Sequence, residues 1–120
     1  MLEMHLQPPV RAWELFQKEG MPCGEGCGAF GVTERESLLG YCLFCMDGPM
    51  RMLSVWCEDD FLLDGLVRAT LNHGSLSGAE EADFSALSGP VRDKLEQLGY
   101  FRQEPLPIEW FFANCKPCKE

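Results

Sequence analysis

The sequence has no run of 18 or more apolar residues, so hydropathy gives no membrane-spanning helix. Its first twenty residues, MLEMHLQPPVRAWELFQKEG, lack the basic start, apolar stretch and small-residue cleavage site of a secretory leader. The expected compartment is therefore cytoplasmic, where thiols stay reduced.

Histidine is scarce, with two in 120 residues, and no motif sets a nucleophile beside a base. Acid–base or hydrolytic catalysis has little to work with, and the reading leans away from an enzyme. No G-x-x-x-x-G-K-[ST] phosphate loop occurs, and Gly24, Gly26, Gly28 and Gly31 miss the dinucleotide spacing.

Basic residues are also few: 10 Lys and Arg stand against 19 Asp and Glu, a net charge of −9. Residues 1–57 carry four basic and seven acidic side chains, and residues 58–120 carry six and twelve. Phosphate backbones are held mainly by clustered Lys and Arg, so the balance disfavours nucleic acid. The segment from Ser88 onward loosely suggests a winged helix, but Asp93 and Glu96 cancel Arg92 and Lys94. Another protein is the expected partner, and nothing in the chain fixes an oligomeric state.

Hydrophobic residues make up 46% of the chain, enough for a core. Pro9 to Glu19 predicts a helix with Val10, Trp13 and Phe16 on one face, stopped by Gly20 and Pro22. The glycine-rich stretch from Cys23 to Gly31 predicts a loop. Leu38–Met46 and Met50–Cys57 predict an antiparallel hairpin across Asp47-Gly48-Pro49. A second helix is expected from Asp60 to Asn72, with Gly74 beyond His73 at its end. Ser77-Gly-Ala-Glu80 reads as a capping box for a short third helix. A fourth helix follows Ser88, and Ile108–Ala113 reads as a last strand. His5 falls in an N-terminus expected to fray. The fold expectation is α+β, a small antiparallel sheet with three or four helices stabilised by cysteine-ligated metal. Residues 1–120 form a single metal-binding domain in this reading.

The cysteines motivate the metal. Seven occur, an odd number that argues against a fully paired disulfide scaffold. Cys23-x3-Cys27-x14-Cys42-x2-Cys45 has the paired spacing by which four thiolates enclose a tetrahedral ion. Zinc is the expected cofactor. An iron–sulfur cluster is the alternative, although the ferredoxin-like run of close cysteines is missing and position 30 is Phe. Cys57, Cys115 and Cys118 suggest a second site, with His73 or an exogenous group as the fourth ligand. The pair Cys115 and Cys118 could instead join Cys42 and Cys45 across facing strands, or act as a redox pair. For the redox reading, only Lys119 and Glu120 follow, too little chain for an activating helix.

The acidic stretches 58–64 and 80–83 fit solvated helix starts. In a strand, Trp110 and Phe112 would face one way and Phe111 the other, so one side could anchor a partner. The functional expectation is a small zinc-binding accessory or protein-interaction protein, with an iron–sulfur or thiol-redox accessory factor as the alternative.

Overall fold

The computed structural model describes residues 1–101 and 105–109. In chain order the elements are β1 (Leu2–Leu6), α1 (Pro9–Lys18), β2 (Cys27–Glu34), β3 (Ser37–Met46), β4 (Met50–Cys57), α2 (Asp60–Leu76), β5 (Glu81–Asp83), α3 (Gly89–Gln97) and β6 (Leu106–Pro107). The strands form one six-stranded sheet in sequence order. β1 to β4 are antiparallel, β4 and β5 are parallel, and β5 and β6 are antiparallel.

This sheet is mixed and open rather than small and antiparallel, and it is held by apolar packing on both faces. Helix α1 lays Ala12, Leu15 and Phe16 on one face, against Ala29, Tyr41 and Leu43. On the other face α2 packs Leu63, Leu66, Val67 and Leu71 against Phe30, Val32, Cys42, Phe44 and Met52. Such burial is the main favourable term in folding, at about 25 cal/mol per Å² of apolar surface. The buried stripe of α1 is therefore Ala12, Leu15 and Phe16, while Val10 and Trp13, expected inside with Phe16, are exposed.

The N-terminal segment is a strand, not a frayed end, because β1 pairs with β2 from Leu2↔Glu34 to Leu6↔Phe30. The expected glycine loop is likewise mostly strand. A Cβ at Gly28 would lie 3.0 Å from the Phe44 ring, and one at Gly31 would lie 2.8 Å from the Gln7 amide nitrogen. Here glycine admits close neighbours rather than breaking the ladder.

Helix α2 starts as expected, with the Asp59 carboxylate accepting from the Phe61 N–H at 2.9 Å. It runs on through Gly74, whose missing side chain makes room for the buried Met50 thioether. It ends four residues past Asn72 at Leu76, where Gly78 at φ +105° closes it. Gly78 N–H donates to Ser75 and Ala79 N–H to Gly74, the paired bonds of a helix C-terminus. Ser77 thus ends a helix instead of capping a new one, and Glu81–Asp83 forms β5. α3 follows Ser88 as expected. Of the expected strand 108–113, Ile108 and Glu109 follow β6 and are helical rather than extended, and the rest lies outside the described residues.

The metal-stabilised part of the expected fold is overturned. Among the described residues no group of three or more His, Cys, Asp or Glu is arranged to hold an ion. The reason is strand parity. Cys42 and Cys45 lie in the uninterrupted strand β3, and three positions along a strand point side chains to opposite faces.

Candidate functional site

The two faces divide the cysteines. Cys23, Cys27 and Cys45 lie on the α1 side, Cys23 and Cys27 packing against the cluster of Phe16 and Leu43. Cys45 shares the parity of Tyr41 and Leu43 on β3 and pairs with Cys27. Cys42 is fully buried on the α2 side, in a cluster that Cys57 also borders. The quartet Cys23, Cys27, Cys42 and Cys45 is therefore split three to one, and Cys57 sits with Cys42. Cys115 and Cys118 lie outside the described residues, as does the Trp110-Phe111-Phe112 stretch.

Four of the thiols, Cys23, Cys42, Cys45 and Cys57, are held away from the thiolate form. Burial pushes the Cys42 thiol up to about 12, partly opposed by a hydrogen bond with Thr70 and reinforced by Cys57. Burial also lifts Cys45 to about 11, with the neighbouring Cys27 adding to the rise. Cys23 and Cys57 are raised too, again first by burial. Cys57 donates to the Asp59 carbonyl at 3.2 Å, and Asp59, Asp60 and Glu58 oppose a thiolate there. His73, the suggested fourth ligand, stands between the rings of Phe30 and Phe44, 5.7 Å from each. This placement makes it part of the aromatic packing on the α2 face.

Two clefts border these elements. One, of about 450 Å³, is lined by Pro9 and Ala12 of α1, by Cys23, Gly24, Gly26 and Cys27, and by Phe44 and His73. Gly24, Gly26 and Gly28 line it with backbone alone. The other, of about 280 Å³, lies beside the sheet, between Leu53–Val55 of β4 and residues 86–91 of the loop before α3 and its first turn, with Met21 at one side.

The second cleft follows from the topology. Among the described residues β4 and β5 pair only at Met50↔Ala82 and Arg51↔Asp83. Past that point the chains diverge and leave a wedge. Glu58 N–H donates to the Leu39 carbonyl at 2.8 Å, which makes the neighbouring Gly40↔Cys57 a non-hydrogen-bonded pair. By alternation Val55, opposite Cys42, is one as well. The N–H and C=O groups of Val55 and Cys57 thus point away from β3, those of Val55 beside the cleft that it lines, while those of Trp56 face β3.

An acidic run follows β4. β4 ends at Cys57, and Glu58, Asp59 and Asp60 follow immediately. Asp60 pairs with Lys94 of α3. Asp64 receives the Tyr100 hydroxyl at 2.6 Å and the Arg68 guanidinium at 2.9 Å. The first of these ties α2 to α3, the second ties α2 to the chain just past α3, and the third lies within α2. Glu58 and Asp59 add negative charge at the positive end of the α2 dipole. Beside them Phe61 is 93% exposed, the most exposed aromatic side chain among the described residues.

The expectation made from sequence missed this wedge. The acidic stretch read as a helix start is that start, yet it also frames the open edge. The only signal was the short spacing between β4 and the acidic run, which does not reveal where β5 leaves β4.

The arrangement is that of a small α+β domain with a split sheet. Comparison with family models, curated proteins and solved structures finds no match for the chain. Among the described residues no helix is long and apolar enough to cross a membrane.

Proposed function

We propose that the protein is a non-catalytic interaction module that takes an extended segment of a partner protein into the wedge beside β4. The observation that carries this reading is the β4 edge at Val55 and Cys57, unpaired among the described residues, with Val55 lining a groove. A strand added there gains main-chain hydrogen bonds from the ladder and specificity from flanking side chains. Leu53, Val55, Leu87 and Val91 supply an apolar lining for alternate side chains.

The partner segment is basic at the end that leaves beside Glu58 and Asp59, and it carries an apolar side chain that packs on Phe61. An overall charge of −9 favours such a partner and steers its approach. Phosphate-bearing ligands are repelled at the same place. The reading needs no metal, since both faces of the sheet close over apolar cores.

Immobilised libraries of extended Lys- and Arg-containing peptides test it directly, with affinity measured by calorimetry. A peptide selected this way should bind Phe61→Ala about 10-fold more weakly, the usual loss for an exposed aromatic anchor. Phe61 touches no core cluster, so thermal stability should not move. Equal affinity of Phe61→Ala and the unaltered protein, or selection of acidic peptides, would count against the proposal.

A further inference from the structure

The α1 face holds a feature that the interaction reading does not use. Cys27 and Cys45 are direct cross-strand partners at the end of the β2–β3 ladder. Met46 N–H donates to the Gly26 carbonyl at 2.8 Å, so Gly26 and Met46 form the hydrogen-bonded pair there. Cys27↔Cys45 is consequently the adjacent non-hydrogen-bonded pair, the kind in which Cα atoms approach to about 4.5 Å and side chains lie closest. That separation falls within the range a disulfide spans, about 4.4–6.8 Å between Cα atoms. The Cys27 thiol lies close enough to add to the rise of Cys45.

Access is unequal. Cys27 lines the cleft of about 450 Å³ together with Cys23, whereas Cys45 is not among its lining residues. A small oxidant entering the cleft meets Cys27 first and finds Cys45 directly behind it.

We propose that Cys27 and Cys45 are a peroxide-responsive pair that closes into a reversible cross-strand disulfide, with Cys27 as the oxidised thiol and Cys45 as the resolving one. The oxidant is a hydroperoxide. In the first step the Cys27 sulfur takes the distal oxygen of ROOH, giving Cys27–SOH and ROH. In the second the Cys45 sulfur attacks the Cys27 sulfur, the S–O bond breaks, and the Cys45 proton leaves with the hydroxyl as water. The sum is one hydroperoxide and two thiols converted to one disulfide, one ROH and one water. A dithiol reductant reverses it by exchange. Cys42 and Cys57, on the other face, stay out of this chemistry. Burial keeps Cys45 protonated at neutral pH, so its proton is in place to leave with the hydroxyl at closure. The pair is independent of the peptide-binding role and stands or falls without it.

The test treats the whole native protein with hydrogen peroxide, blocks remaining thiols and maps the peptides without reduction. Cleavage after Glu25 separates Cys23 from Cys27, and cleavage after Phe44 separates Cys42 from Cys45, so each linkage is distinguishable. A Cys27–Cys45 peptide should dominate and vanish on treatment with dithiothreitol. Cys45→Ser should abolish it and leave Cys27 trapped by dimedone as the sulfenic acid. Cys42→Ser should leave the linkage unchanged. Circular dichroism on each variant checks folding, and peroxide treatment in denaturant should scatter the linkages. Dominance of Cys23–Cys27 or Cys42–Cys57 in the native protein would overturn the proposal. So would dimedone labelling at Cys45 instead of Cys27, or no disulfide at all.

Discussion

Phe84→Ala is expected to remove about 3–5 kcal/mol of stability, the usual cost of emptying a large aromatic site in a core. Phe84 is fully buried just past β5. Its ring meets Tyr100 edge-on at 5.9 Å and Phe101 at 5.4 Å. Its carbonyl accepts from the Arg92 guanidinium at 2.9 Å and from Leu87 N–H at 3.0 Å. One residue thus joins the short strand β5, helix α3 and the chain beyond α3. A domain of this size has about 5–15 kcal/mol in total, so the variant should be marginal at room temperature. Urea unfolding followed by circular dichroism measures the loss. The far wall of the wedge hangs on Phe84, and peptide affinity should fall with stability. A loss below about 1 kcal/mol would mean that this wall is held elsewhere.

Alkaline pH should destabilise the protein steeply, and the sign follows from the buried thiols. Cys42 in the folded protein loses its proton at about 12 against an ordinary 9.0. Cys45 does so at about 11. In both cases the unfolded chain releases the proton first. Between pH 9 and the folded value the native state holds more protons than the unfolded state, so stability falls as pH rises. Below pH 9 these thiols impose no pH dependence. Each unit above pH 9 costs about 1.4 kcal/mol for a fully buried thiol, so Cys42 alone removes about 2–3 kcal/mol by pH 11. Tyr41, donating to Glu19, and Tyr100, donating to Asp64, are raised in the same direction and extend the loss above pH 10. Urea midpoints from pH 8 to 11 test this. Cys42→Ala should start less stable yet decline with a shallower slope. A flat profile up to pH 11 would show that Cys42 is not sealed in the core.

Much of the fold was legible because local patterns agreed with tertiary packing. The hairpin across Asp47-Gly48-Pro49, the start of α1 at Pro9 and the start of α2 at Asp60 were all read correctly from turn and cap residues. What failed were places where one residue type serves two purposes. Glycine at positions 28 and 31 signalled a loop, but in the sheet it makes room for Phe44 and Gln7. Ser77 looked like a helix start, but the positive φ of Gly78 made it a helix end. β1 was invisible, since Leu2–Leu6 alternates weakly and is mostly exposed.

The cysteine pattern misled for a more general reason. Spacing of two between cysteines suits an ion only where the chain bends between them. The nearby hairpin turn is made by Asp47 to Pro49, and Cys42 to Cys45 remain extended. Parity then sends the two thiols to opposite sides. The pair that does meet, Cys27 with Cys45, depends on strand register, which no local motif encodes.

Amide resonances along β4 give the most direct test of the wedge as a binding edge. On addition of a selected basic peptide, the amides of Val55 and Cys57 should shift and exchange more slowly with solvent. The Trp56 amide, already bonded to β3, should change little. Protection confined to Cys23, Cys27 and His73, with Val55 and Cys57 unmoved, would contradict the account and put the partner in the other cleft.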